Sequence, residues 1–387
     1  MQFIVKTGTA CNFACVYCSE GQQAPQMLSE ETFCKFIDDV PALLEERDDS
    51  CVEILWHGGE PLLWGHDLLA RAMEYAEQRL AGCDVEFLMQ TNGYLIDDRF
   101  LALFQRHRVN IGVSLDGWPE LHDKNRPTKD GEGTFAVVWR NVQRIREAGL
   151  GGSILMVLNT AEPLDADRLF AFIEDNGIIC KINPLIPCGR AADRTDARQI
   201  YKNYVELMKK LYEKAVQSEK EIVIDPLDKL MDALLTGGAL AECSYNGHCS
   251  EDMMCLYPDG AVGLCGRDGE REQLAYGSVL EKDLLTLFHS PMAQKIRMRD
   301  AFLQENDCAD CRDWQLCHGG CTFEALNARG VIEARFSWCE ERKGLLQYLR
   351  TTGLQLLKKR LVRQKREQHL LLSEKRRIWK EAAQYAR

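Results

Sequence analysis

Cys11, Cys15 and Cys18 stand within the eight-residue run CNFACVYC. Three thiols this close in sequence can face one small object. Cysteine thiolates are the usual ligands of iron–sulfur clusters, and a cubane takes four. Three neighbouring ligands leave one iron open to something that is not protein. A structural zinc is the competing chemistry, but C-x3-C-x2-C is not a zinc-ribbon spacing.

The theme returns in the second half. The chain has 17 cysteines in 387 residues, and nine lie from Cys243 to Cys339. Their order is C243-x5-C249-x10-G260-x4-C265, then C308-x2-C311-x5-C317-x3-C321-x17-C339. A disulfide scaffold would need an oxidising compartment. No apolar signal segment precedes Cys11, so the expectation is a cytoplasmic chain, where clustered cysteines usually bind metal.

Taken together these runs resemble a known family. CNFACVYC resembles the CxxxCxΦC signature of radical S-adenosylmethionine (radical SAM) enzymes, with Tyr17 as the aromatic residue. The later run resembles the seven-cysteine SPASM signature, preceded by the upstream cysteine of members with two fully ligated auxiliary clusters. The resemblance implies three 4Fe–4S clusters and S-adenosyl-L-methionine (SAM) as cofactors. Cys11, Cys15 and Cys18 would hold the SAM-binding cluster. Cys243, Cys249, Cys265 and Cys321 would hold the first auxiliary cluster, and Cys308, Cys311, Cys317 and Cys339 the second. It also implies an oxidoreductase that cleaves SAM to a 5′-deoxyadenosyl radical, which removes hydrogen from an unactivated carbon.

Apolar strand-like runs at 3–7, 52–56, 85–90, 109–115, 154–158 and 180–186 alternate with amphipathic runs near 29–46, 66–81, 97–107, 134–148 and 165–176. Short Ile-, Val- and Leu-rich runs of this kind suit buried parallel strands, and six βα units imply right-handed crossovers. Ser29 is a helix start and Gly149 a stop. The fold class is α/β: residues 1–190 resemble the partial (β/α)6 TIM-like barrel of the family. Residues 191–242 read as a helical linker, 243–340 as the SPASM domain and 341–387 as a basic C-terminal helix. Pro258-Asp259-Gly260 reads as a hairpin turn between 253–257 and 261–265.

The strand C-termini, where such barrels keep their sites, carry further matches. His57-Gly58-Gly59-Glu60-Pro61 resembles the GGEP motif, implying that Gly58, Gly59, Glu60 and Pro61 meet the amino group of SAM. Thr91-Asn92-Gly93 follows the third strand. Ser114-Leu115-Asp116-Gly117 resembles the SLDG segment near the SAM ribose and carboxylate. Arg126 could pair with that carboxylate, and Leu185 or Ile186 could contact adenine. Cys34, Cys51, Cys83, Cys180, Cys188 and Cys255 have no family role; buried free cysteine behaves as a small apolar residue. Cys188 and Cys255 lie near site segments.

No stretch of 18 apolar residues suggests a membrane span. Net charge is −11, yet residues 342–387 hold 14 Lys and Arg against 3 Asp and Glu, so an acidic body carries a basic tail. That balance does not suggest nucleic acid as the main substrate. The expected partners are a peptide or protein substrate and a reductase, flavodoxin or ferredoxin as electron donor. The layout resembles peptide maturases and anaerobic sulfatase-maturing enzymes. The latter use an Asp directly after the third cysteine of the SPASM region as base; here that residue is Gly266, and the nearest carboxylate is Asp268. No leader-binding extension is expected before the barrel. The expectation is therefore a maturase installing a C–C or C–S crosslink in a ribosomally made peptide. Sulfatase maturation to formylglycine is the alternative, and a cluster protein that only transfers electrons a third reading. No residue is singled out as a catalytic base. Leu346, Leu349, Leu357 and Leu361 would dock the tail helix. Lys358, Lys359, Arg360, Arg363, Lys365 and Arg366 would form a cationic face, solvated or drawn to an acidic leader.

Overall fold

The computed structural model describes all residues except 21–23, 239, 241, 246, 268–272 and 366–387. Asp268 and Arg366 thus lie outside the described residues.

Six strands form as their sequences dictate: β1 (Gln2–Lys6), β2 (Cys51–His57), β3 (Asp84–Thr91), β4 (Asn110–Ser114), β5 (Gly151–Leu158) and β6 (Cys180–Pro184). Each pairs in parallel with its successor. The connections carry α1 (Glu30–Arg47), α2 (His66–Arg79), α3 (Asp98–Arg106), α4 (Pro119–Asn125), α5 (Phe135–Glu147) and α6 (Ala166–Asn176). Ser29 caps α1 by accepting the amide of Thr32, satisfying one orphan donor of the first turn. Gly149, at φ +72°, follows the last turn of α5 in the left-handed conformation that glycine tolerates.

Burial alternates along β2, β3 and β5. Val52, Ile54, Trp56, Phe87 and Met89 are buried on one face. Trp56 packs against Phe33 of α1 at 5.4 Å between ring centroids and against Phe87 at 6.2 Å, so this face takes the helices. The other face is half-buried and carries a polar row. Lys6 pairs in register with His57, and Gln90 with Gly112. Gly112 has its reason here: a Cβ would stand 2.8 Å from Gln90 Oε1, and the free path lets Gln90 donate to Ser114 Oγ at 3.0 Å.

The sheet does not stop at six strands. Its order is β10-β9-β8-β1-β2-β3-β4-β5-β6-β7. The expected helical linker holds α7 (Ala197–Gln217) and α8 (Leu227–Thr236), but also β7 (Ile224–Asp225), which extends the β6 edge. The cysteine-rich region adds β8 (Met253–Leu256), β9 (Ala261–Gly263) and β10 (Ala275–Ser278). β8 runs parallel to β1, and β8 and β9 form the expected hairpin. One continuous sheet therefore joins both cysteine regions, and β1 lies between their loops.

The helix Cys339–Tyr348 continues through one wider turn, Leu349–Gly353, into helical residues 354–365. Leu346 and Leu349 are fully buried, whereas Leu361 is 49% exposed, so docking weakens along the tail. Arg360 donates to Ala215 O (2.9 Å) and Lys220 O (3.4 Å), and Arg363 to Gln217 O (3.4 Å). These two arginines sit on the end of α7, where unpaired carbonyls and the negative end of the helix dipole favour cations. They are docking groups, not part of a free cationic face.

Candidate cluster and SAM site

The loop after β1 carries Cys11, Cys15 and Cys18, all partly buried. Ala14 N donates to Pro127 O (2.8 Å), Val16 N to Asn125 O (3.0 Å), and Arg190 N to Cys18 O (2.9 Å). Gly189, at φ +54°, allows that last approach, because a Cβ there would lie 2.3 Å from Cys18 O. Tyr17 turns inward and donates its hydroxyl to the Asp116 carboxylate. The three thiols are close enough that each anion would disfavour the others. Burial is the larger cause, pushing Cys11 up to about 12 and Cys15 to about 11. Metal binding to such thiols must therefore release protons.

The GGEP-like loop packs against this segment. Gly59 N donates to Gly8 O and Glu60 N to Ala10 O, both at 2.8 Å. A Cβ on Gly59 would stand 2.2 Å from Ala10 O, and one on Gly58, at φ +136°, 2.5 Å from Gly8 O. Both glycines thus serve close approach to the cysteine loop. Pro61 opens a short 3-10 turn, and its carbonyl accepts the Thr7 hydroxyl at 3.3 Å. Glu60 is buried and accepts from Thr91 Oγ1 (2.7 Å), Asn92 N (2.8 Å) and Leu62 N (3.1 Å). Burial outweighs these bonds and lifts its carboxyl to about 7. Asn92 links the two loops, donating to Asn12 Oδ1 (2.8 Å) and Cys11 Sγ (3.8 Å).

Asp116 is wholly buried and accepts from Tyr17, Asn125 Nδ2 (3.1 Å), Arg126 Nη2 (3.2 Å) and Val157 N (3.1 Å). Arg126 is thus already paired with a carboxylate of the chain; its Nε is buried without a partner and its guanidinium lies 5.2 Å from the Tyr17 ring. Leu185 is only 1% exposed, packed against Tyr17, Ala191 and Ile200, while Ile186 keeps open surface. Leu185 therefore supports Tyr17.

The auxiliary cysteines fall into two groups. Cys308, Cys311, Cys317 and Cys339 line one small recess, with Trp314, Phe336 and Arg342. Cys243, Cys249 and Cys265 surround one another, and Cys321 feels Cys243 and Cys265. Among the described residues no three His, Cys, Asp or Glu side chains gather on a point that suits a single metal ion. Thiols ringing a recess suit a group with several metal corners. Three arginines that the sequence reading passed over reach these sulfurs. Arg267 donates to Cys321 Sγ (3.9 Å), Arg342 to Cys317 Sγ (3.8 Å) and Arg335 to Cys339 Sγ (3.9 Å). Of the six cysteines without a role, Cys180, Cys188 and Cys255 are buried, Cys34 and Cys83 half-buried and Cys51 exposed.

The Radical SAM superfamily profile matches residues 5–173, and that of the SPASM iron–sulfur cluster-binding domain matches residues 243–312. The chain is a radical SAM enzyme with a SPASM domain. Its cofactors are 4Fe–4S clusters and SAM. It is 23% identical over 331 residues to the cysteine-type anaerobic sulfatase-maturating enzyme of Clostridium perfringens (strain 13 / Type A), covering 82% of this chain and 87% of that enzyme. The solved structure described as native anSMEcpe with bound AdoMet superposes with a TM-score of 0.79 at 18% identity, over 93% of this chain and 98% of the other. Streptococcus suis SuiB bound to precursor peptide SuiA gives 0.62 at 15% identity, over 88% and 75%. No helix among the described residues is long and apolar enough to cross a membrane.

Proposed function

We propose that this radical SAM–SPASM enzyme is a maturase of the sulfatase-maturing kind, oxidising a cysteine or serine side chain of a protein substrate to formylglycine. What carries the reading is breadth: a relative named for that task matches more than four-fifths of each chain. Cys11, Cys15 and Cys18 would hold the first cluster, with Glu60, Asn92 and Ser114 nearest the SAM side. The bound cluster and SAM would supply hydrogen abstraction from an unactivated carbon. The chain's own residues orient and enclose. Lys6, His57, Gln90 and Ser114 line the half-buried face of the sheet, where a substrate segment would lie. His57 Nδ1 accepts the Gly58 amide (2.8 Å), which assigns its proton to Nε2. Burial then holds the ring neutral, down to about 4, so at neutral pH it presents a donor.

One observation favours the peptide-crosslinking reading as the second. A Cβ at position 266 would lie 3.3 Å from both Ile4 Cγ2 and Lys6 Cε, and among the described residues the carboxylate paired with Lys6 is Glu20, at 2.7 Å. Formylglycine formation needs a group to take the substrate's proton. The test incubates anaerobically reconstituted enzyme with SAM, reductant and a synthetic sulfatase active-site peptide carrying Cys or Ser. An aldehyde trapped by a hydrazide supports the proposal. Loss of hydrogen without an aldehyde supports the crosslink, and SAM cleavage without peptide change refutes both for that peptide.

A further inference from the structure

We infer that Arg267, Arg342 and Arg335 form an arginine collar that holds the auxiliary clusters at higher reduction potential than the SAM-binding cluster. The inference rests on the ligand sets proposed above and not on the identity of the substrate.

The observation is a difference in the donors that reach sulfur. At the first loop the donors are neutral: Phe13 N to Cys11 Sγ at 3.4 Å and Asn92 Nδ2 to Cys11 Sγ at 3.8 Å. Arg126 and Arg190 stand near enough for their charges to favour the Cys15 and Cys18 thiolates. Arg190 gives its Nη1 to the Cys15 carbonyl, however, and Arg126 its Nη2 to Asp116, so the difference lies in the N–H that reaches sulfur. In the SPASM region, among the described residues, guanidinium groups donate to sulfur, one in the first set and two in the second, beside the neutral Thr322 hydroxyl at Cys249.

Arg342 is buried and Arg267 and Arg335 are half-buried, and the fold satisfies Arg342 locally. Arg342 is 3% exposed; it donates to Ser244 O (3.0 Å) and Tyr201 Oη (3.3 Å), and its guanidinium lies 4.1 Å from the Phe336 ring and 4.4 Å from that of Tyr245. Such a charge is expensive to bury without a counter-charge. Among the described residues the carboxylate within 4 Å of it is Glu324, at 3.8 Å, and burial raises the carboxyl of Glu324 itself. Arg267 faces the same Glu324 and also acts on Glu242, which is already paired with Lys181 and Lys229. The ligand thiolates are a further negative charge that both arginines face.

Each added electron makes a cluster more negative, so a fixed cation with an N–H on sulfur stabilises the reduced form and raises the potential. The interior's weak screening strengthens that effect. Arg267 acts on the first auxiliary set, Arg342 and Arg335 on the second. Their place is one of tuning: they touch ligand sulfur and not substrate.

The test is EPR-monitored potentiometry of the full-length, reconstituted protein, with iron content measured alongside. In Arg267→Gln that keeps its iron, the reduction equilibrium of one auxiliary cluster should fall at least tenfold, ~59 mV for one electron. Arg267→Lys should restore most of it, because the charge returns. The SAM-binding cluster should not move. Where Arg267→Gln loses iron, Arg335→Gln at the half-buried Cys339 carries the same expectation for the second cluster. An unchanged auxiliary potential at full iron content, or an equal fall in all clusters, would overturn the collar. Wrong ligand sets would show separately, as iron loss that does not follow the cysteine groups.

Discussion

The two cysteine regions are held by different physics. The loop of Cys11, Cys15 and Cys18 is positioned mainly by main-chain hydrogen bonds, by two glycines that permit contact, and by the Tyr17–Asp116 link. Its three thiols are partly exposed, as are Cys243, Cys249, Cys311, Cys317 and Cys339, whereas Cys265, Cys308 and Cys321 are buried. The SPASM thiols sit beside arginines, Arg342 buried and Arg267 and Arg335 half-buried, with four thiols around one recess. The first region offers three thiols and neutral donors; the second offers four thiols to each group and cationic donors. Because β1 and β8 are neighbours in one sheet, the two regions meet where buried Lys6 and Gly266 come together.

The sharpest way to break this contrast is to remove one side of it. Changing Cys11, Cys15 and Cys18 together to Ala should abolish 5′-deoxyadenosine formation and remove about a third of on the order of twelve iron atoms. Product formation in the triple variant would end the assignment of the open site. Asp116→Asn comes next. It strips Arg126 of its buried partner and weakens the Tyr17 link, at a cost of about 3–5 kcal/mol. Denaturant unfolding would show it, and a loss under 1 kcal/mol would mean that Arg126 is held by something else.

A finer cut uses Gly59→Ala. The added Cβ would collide with Ala10 O, backbone that cannot swing away, so the Cys11 loop must shift. Iron loss confined to the first cluster is expected, and full SAM cleavage would show the loop to be more compliant than described.

Much of this was legible beforehand. The five amphipathic runs became α1, α2, α3, α5 and α6 with ends off by at most two residues, since strong periodicity and caps such as Ser29 are local signals. β7 was missed because a two-residue strand has no period; edge pairing with Cys180 and Lys181 creates it. The sheet's continuity through β8 was likewise invisible, being a pairing across some 250 residues of chain. The bond from Arg126 to Asp116 joins residues ten apart and comes from the fold, so spacing alone does not show it. Arg267 and Arg335 lie within four residues of a cysteine and could have been noticed; Arg342 reaches Cys317 only through the fold.

The smallest effect concerns pH in metal-free protein. His57 is held neutral when folded, with its pKa lowered from 6.5 to about 4 by burial, so the unfolded chain binds more protons between those values. Stability should therefore decline as pH falls from 6.5 towards 4, and His57→Gln should flatten that limb. Parallel curves for both proteins would place the acid sensitivity elsewhere.

The contrast between a three-thiol and a four-thiol region is tested most directly by EPR of the reduced protein with and without SAM. One cluster signal, absent from the Cys11/Cys15/Cys18 triple variant, should change on adding SAM while the auxiliary signals stay as they were. A SAM-dependent change that survives in the triple variant would contradict the account.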